Sequence, residues 1–213
     1  MHRPVIIFDW DGTLADSMDL CVAEVRGALE KLGLPIPSVE AMRACNGPTY
    51  EETIPMLGIP AEMGQTYMQV RKQCGLEMCE QVNRLFPGIR DMLLRLKMRA
   101  RLCIASNGGD AYIALCCRIF GLENVFDRVE AFQRGRSKAE AVGQILRDDP
   151  DAAAIMVGDR LGDIHAGKAN GLLTVCCAYG YGSPEEWAQA DRTAASVEEL
   201  EALLTAFTQG KLA

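Results

Sequence analysis

The apolar residues Val5 to Phe8 run together and stop at Asp9. A β-branched and aromatic run of this length, followed by the turn residue Gly12, predicts a strand buried on both faces. The period then changes. Leu20, Cys21, Val25, Leu29 and Leu32 recur at helical spacing and predict a helix over 17–32, broken by Gly33 to Pro37. From Ser38 to about Val82 the chain is helix-like and rich in Met and Glu. It is interrupted at Gly47-Pro48 and at Gly58-Ile59-Pro60, holds no convincing strand pattern, and ends at Pro87-Gly88. Beyond this point strands and helices alternate: helix 89–97, strand 101–105, helix 110–120, strand 125–132, helix 138–147, strand 153–157, helix 161–170 and strand 172–177. Such alternation predicts an α/β fold, a doubly wound parallel sheet covered by helices on both faces. The expected organisation is a core made of residues 1–15 and 84–213, with an all-helical lid, residues 16–83, inserted after the first strand.

Composition narrows the class. Of 213 residues, 49% are hydrophobic and 24% charged, which places the chain among globular proteins. A net charge of −7 argues against a nucleic-acid surface, where clustered Lys and Arg are expected, yet leaves room for a local cationic pocket. Nine cysteines without paired CxxC elements, beside two histidines, read as small buried side chains in a reducing compartment and argue against zinc. The amino-terminal apolar run is too short for a signal peptide or membrane span, so the expectation is a soluble cytoplasmic protein without a membrane or nucleic-acid partner.

Polar residues gather at the strand ends, where open parallel sheets bind ligands. Asp9, Asp11 and Thr13 follow the first strand; Ser106, Asn107 and Gly108 follow strand 101–105; Gly158, Asp159 and Asp163 follow strand 153–157; Lys138 opens a helix. Asp9 and Asp11, two apart on extended backbone, share a face while Trp10 turns away. Asp159 and Asp163, four apart at a helix start, also share one. Carboxylates converging without counter-charge repel, and a hard cation with oxygen ligands, Mg2+, relieves this. Lys138 adds positive charge, and Ser106 with the backbone near Asn107 and Gly108 offers donors to phosphate oxygens. Phosphoryl transfer asks for this set: a carboxylate nucleophile, an acid/base and charge neutralisation.

Phe8-Asp9-Trp10-Asp11-Gly12-Thr13-Leu14 resembles the first motif of the haloacid dehalogenase superfamily, a hydrophobic run followed by DxDGT. Ser106-Asn107 resembles its second motif, Lys138 its third, and Gly158-Asp159-Arg160-Leu161-Gly162-Asp163 its fourth. Their order and spacing match over nearly the whole chain. The tail, Tyr179 to Ser183 and Val197 to Leu200, is similar to the phosphoglycolate-phosphatase-like branch. The resemblance implies a Rossmann-like core with a helical cap, Asp9 as nucleophile, and Asp11 as general acid and base. It implies Mg2+ held by Asp9, the Asp11 backbone carbonyl and Asp159, with Asp163 orienting the metal shell or Lys138. It also implies substrate contact from the loop around Arg43, Asn46, Gly47 and Thr49, which taken alone reads as an ordinary helix connection with a solvated arginine. In the superfamily, dehalogenases lack an acid at the Asp11 position and phosphonoacetaldehyde hydrolases have a small residue there, so both are disfavoured. The lysine motif, Arg136-Ser137-Lys138-Ala139, lacks the Lys-Pro pair common in close relatives and leaves Arg136 as a second candidate.

The expected function is hydrolysis of a small phosphorylated metabolite through an aspartyl-phosphate on Asp9, by a monomer or homodimer. A sugar phosphomutase of β-phosphoglucomutase type is the alternative, with a non-catalytic phosphate-binding scaffold behind it. Arg134 and Arg136 read as exposed or as meeting a second anionic group, with exposure favoured, His165 as packed or at the surface, and the ten methionines as filling the interface between lid and core.

Overall fold

The structure, a computed structural model, describes residues 2–212. Its centre is β1, Val5–Phe8, each residue of which is buried, as a strand covered on both faces requires. Parallel to it lie β4 (Arg101–Ala105) on one side and β6 (Ala154–Gly158) on the other, with Phe8 level with Ile104 and Val157. β5 (Arg128–Glu130), β7 (Leu173–Cys177) and β8 (Arg192–Ala194) complete a six-stranded parallel sheet of order β5-β4-β1-β6-β7-β8.

Helices cover both faces. One face carries α5 (Ile89–Lys97), α6 (Asp110–Ile119) and α10 (Val197–Thr208), packed with Ile6, Phe8 and Trp10 into the larger core. On the other, α7 (Lys138–Leu146) and α8 (Leu161–Ala169) pack on Val5, Ile7, Cys103 and Met156. The short α9 (Pro184–Trp187) lies between β7 and β8. Trp10 turns away from the acids on either side of it and packs edge-on against Phe126, their ring centroids 6.3 Å apart. Each fully buried large side chain of this kind stabilises the fold by about 1.5–3 kcal/mol.

The chain leaves and re-enters the core through an antiparallel ribbon, β2 (Ala15–Asp16) with β3 (Arg84–Leu85). Between them stand α1 (Met18–Lys31), α2 (Val39–Arg43), α3 (Tyr50–Met56), a 3-10 turn at Ala61–Met63 and α4 (Gly64–Val82). Val25, Leu29, Met42 and Tyr67 form its own buried core. α3 opens on a reciprocal cap between Thr49 and Glu52, a role for Thr49 that is local to the insert.

Several expectations need correction. The strand expected over 125–132 is only Arg128–Glu130. Val125 closes a turn on Leu122, and Asp127 donates its backbone N–H to the Leu102 carbonyl and accepts the Leu102 N–H on its carboxylate. The methionines are not concentrated between insert and core: Met92 and Met156 belong to the core, Met42 to the insert's interior, and Met98 is exposed. No helix among the described residues is long and apolar enough to cross a membrane.

Candidate active site

β1, β4 and β6 end level with one another, so the residues that follow them converge. Asp9 continues β1, its N–H held by the Val157 carbonyl at 2.8 Å. Asp159 follows β6, and Asp163 lies in the first turn of α8. Carboxylate oxygens of these three buried acids lie within 4.8 Å of one another. Lys138, at the start of α7, reaches into the cluster with Nζ 2.9 Å from Asp9 and 2.6 Å from Asp163. Arg136 does not compete for this place, because it is turned to Glu130 and to the Ala131 carbonyl.

Electrostatics follow from burial. Asp9 is pushed above the usual carboxylate range by desolvation and the Asp163 charge, against the pull of Lys138. Asp159 is raised well above it by desolvation, then by Asp163 and Asp9. Burial works against the Lys138 charge, but Asp163 and Asp9 outweigh it and hold the ammonium firmly protonated. Burial also raises Asp11, opposed by hydrogen bonds from Ser17 and Tyr112. The Tyr112 hydroxyl donates to Asp11 Oδ1 at 2.7 Å.

The backbone around Asp159 is fitted to it. Gly12, at φ +81°, and Gly180 both approach so closely that a Cβ on either would overlap Asp159. The Tyr181 N–H donates to Asp159 Oδ2 at 2.7 Å, while Oδ1 is buried without a hydrogen-bond partner. A buried carboxylate oxygen left unpaired beside two further carboxylates costs free energy unless a cation completes it. The donor set is all oxygen, which suits a hard divalent ion. Asp163 is differently engaged. Its Oδ1 takes Lys138, and its Oδ2 takes the N–H groups of Asp159 and Arg160 at 3.2 and 3.0 Å, so it orients both the lysine and the loop.

A match to the family model described as haloacid dehalogenase-like hydrolase runs over residues 6–177 and takes in all four strand-end elements. The chain belongs to the haloacid dehalogenase-like hydrolase family. Among its relatives, a phosphoglycolate phosphatase of Synechococcus elongatus is 31% identical over 183 residues, 83% of this chain and 84% of the relative. The tyrosine-protein kinase PtkA of Mycobacterium tuberculosis is 29% identical over 207 residues, 92% of this chain and 70% of the relative. A haloacid dehalogenase-like hydrolase of Streptococcus pneumoniae superposes with a TM-score of 0.84 at 23% identity, covering 95% of this chain and 98% of that one, a likeness of fold.

The family site opens into a cavity of about 460 Å3 between the sheet ends and the insert. Asp9, Asp11, Lys138 and Asp163 line it, as do Ser106, Asn107 and Gly108. The Ser106 hydroxyl accepts the Gly108 N–H at 3.0 Å, which shapes the turn after β4. The Asn107 amide donates to the Gly47 carbonyl at 3.0 Å and so ties this turn to the insert. Two expected contacts lie elsewhere. Arg43 is exposed at the end of α2 and does not line the cavity. Thr13 is buried beneath the site, its hydroxyl unpartnered and its carbonyl accepting from the Tyr179 hydroxyl at 2.9 Å.

Other residues at the cavity were not anticipated from sequence. Tyr112 holds Asp11, and its own hydroxyl accepts from Asn83 at 3.1 Å. In the insert, the Arg71 guanidinium pairs with Glu24 at 2.7 Å, donates to Thr53 Oγ1 at 3.1 Å and stacks on the Tyr50 ring at 4.2 Å. Glu24 and Arg71 each stand on the buried face of an amphipathic helix, α1 and α4, where a charge is out of pattern; that displacement is the available signal.

Proposed function

We propose that the protein hydrolyses a small phosphomonoester in two steps, with Asp9 as the nucleophile. The observation that carries this reading is a buried carboxylate, Asp9, in contact with Lys138 and lining the same cavity as Asp11.

In the first step a carboxylate oxygen of Asp9 forms a bond to phosphorus while the ester P–O bond breaks. Asp11 gives its proton to the departing oxygen, a task favoured by the burial that raises its pKa. In the second step Asp11, now ionised, takes a proton from water as that water's oxygen bonds to phosphorus. The bond to Asp9 breaks, and phosphate leaves with both acids restored. Lys138 lies where it neutralises Asp9 and the phosphoryl oxygens, and the Ser106 hydroxyl with the Asn107 N–H hydrogen-bonds them, the Gly108 N–H holding Ser106 in place. Asp9 and Asp159 would hold Mg2+, with Asp163 beside them, and the bound ion would supply positive charge against the phosphoryl oxygens. The helical insert, residues 16–83 in the proposed division, acts as a cap that excludes water when its loop at Gly47 meets Asn107.

The substrate is a small phosphorylated metabolite, as the phosphoglycolate phosphatase relative suggests. Likeness to the mycobacterial kinase favours a second reading, transfer from a nucleoside triphosphate to a tyrosine. One experiment tests both: phosphate release from a panel of phosphomonoesters with and without Mg2+, beside radiolabel transfer from ATP to the protein and a tyrosine peptide, with Asp9→Asn as control. Mg2+-dependent release lost in Asp9→Asn supports the hydrolase. Transfer to tyrosine without ester turnover would replace it.

A further inference from the structure

The cavity holds more charge than a phosphoryl group needs, and the charge is arranged in pairs. Three cations line it among the described residues, and each already meets a carboxylate that lines it too: Lys138 with Asp9 and Asp163, Arg71 with Glu24, and Arg160 with Glu186 at 3.4 Å. Asp11 and Glu52 add further acids. On the insert's wall the lining cation is Arg71, whose nitrogens are all taken by Glu24, Thr53, Cys45 and Cys21, so none is left there for a second anionic group on the substrate. The insert's wall is nevertheless polar. Glu24 Oε2 accepts one hydrogen bond, from the Tyr50 hydroxyl at 3.2 Å, and a carboxylate oxygen has room for another. The Asn46 amide, on the same wall, reaches Ser17 Oγ at 3.4 Å and has a free acceptor in its carbonyl oxygen.

We propose that this wall selects a neutral, hydroxyl-bearing leaving group of the polyol or sugar type and rejects one that carries a carboxylate. A hydroxyl of such a group donates to Glu24 or to the Asn46 carbonyl. A carboxylate there would face Glu24 with Arg71 already spent, and like charges brought together without water are rejected strongly. The inference rests on the phosphomonoesterase reading above and makes it narrower. It also separates this chain from its phosphoglycolate phosphatase relative, whose named substrate has a carboxylate on the leaving group.

The test compares kcat/KM for matched esters that differ in that one group: glycerol 3-phosphate against 3-phosphoglycerate, and glucose 6-phosphate against 6-phosphogluconate. p-Nitrophenyl phosphate reports the chemistry alone. The neutral member of each pair is expected to be preferred about tenfold or more. Glu24→Gln, which frees the Arg71 charge, should shrink that preference about tenfold, by raising turnover of the carboxylate member. Glu186→Gln, which removes a lining acid beside Arg160, should move it the same way and decides the matter if Glu24→Gln does not fold. Equal or better use of the carboxylate members by the wild type, with Asp9-dependent p-nitrophenyl phosphate release intact, overturns the selectivity and leaves the hydrolase reading standing. An unmoved preference in the folded variants overturns the role of the charge pairing. Absence of release from every ester, p-nitrophenyl phosphate included, removes the hydrolase reading and the selectivity with it.

Discussion

Two buried charge clusters face the same cavity. In the insert, one guanidinium meets one carboxylate: Arg71 lies 2.7 Å from Glu24, and its remaining donors find the Thr53 hydroxyl, the Cys45 carbonyl and the Cys21 sulfur. At the sheet ends, Asp9, Asp159 and Asp163 face the single ammonium of Lys138, and Asp159 Oδ1 has no partner. In the first cluster the two charges cancel, and the pair shapes a surface. The second is complete only with added positive charge, and its excess of acid suits a hard cation. Burial alone does not mark a reactive site; uncompensated burial does.

On that contrast, matched substitutions in the two clusters act with opposite sign. Asp159→Asn is expected to lower phosphate release about a thousandfold or more. In metal-free protein the same change should raise unfolding free energy by about 1–2 kcal/mol, because it removes a carboxylate from a repelling group. Urea unfolding with EDTA reads the second effect, and a loss of stability would break the comparison. Arg71→Met should instead cost about 3–5 kcal/mol, since it strands Glu24 in the insert. Glu24→Leu combined with Arg71→Met should recover most of that loss, as replacement of a whole buried pair by apolar residues does.

A smaller effect follows from titration. The folded pKa of Asp9 and of Asp159 lies above the ordinary carboxylate value of 3.8. A group raised by folding contributes stability below its unfolded pKa and loses it as pH climbs through the folded one. Metal-free protein is therefore expected to lose about 1–2 kcal/mol between about pH 5 and pH 7, a slope that saturating Mg2+ flattens. The smallest effect expected is that of Tyr112→Phe, which deletes one hydrogen bond to Asp11. It should lower kcat about tenfold, the worth of about 1.4 kcal/mol, with little change in KM.

Much of the candidate site at the strand ends was legible in the sequence for a physical reason. A parallel strand buried on both faces is written as an unbroken apolar run, so the polar residues that end β1, β4 and β6 stand out against it. Lys138 was legible only by its order and spacing among the other motifs, since a lysine opening a helix reads by itself as a surface residue, and contact with Asp9 separates it from Arg136. The cavity's far wall was hidden because it is assembled from α1, α3 and α4, far apart in sequence. Glu24 and Arg71 each interrupt an apolar stripe, yet nothing local pairs them across 47 positions. The ribbon at Ala15–Asp16 and Arg84–Leu85 has two residues on each side, too few to show a period. β8 escaped for a similar reason: Arg192 and Thr193 are exposed and only Ala194 is buried. α10, by contrast, carries Val197, Leu200, Leu204 and Phe207 at clear helical spacing, and its pattern was open to reading.

The central claim is that Asp9 carries the phosphoryl group between the two steps. Its most direct test is rapid acid quench of the protein mixed with a turned-over phosphoester and Mg2+, followed by mass spectrometry of the peptide bearing Asp9. The account predicts a transient phosphoryl-mass increment on Asp9, formed before free phosphate appears and absent from Asp9→Asn. Full turnover with no such increment, or an increment on another residue, would contradict it.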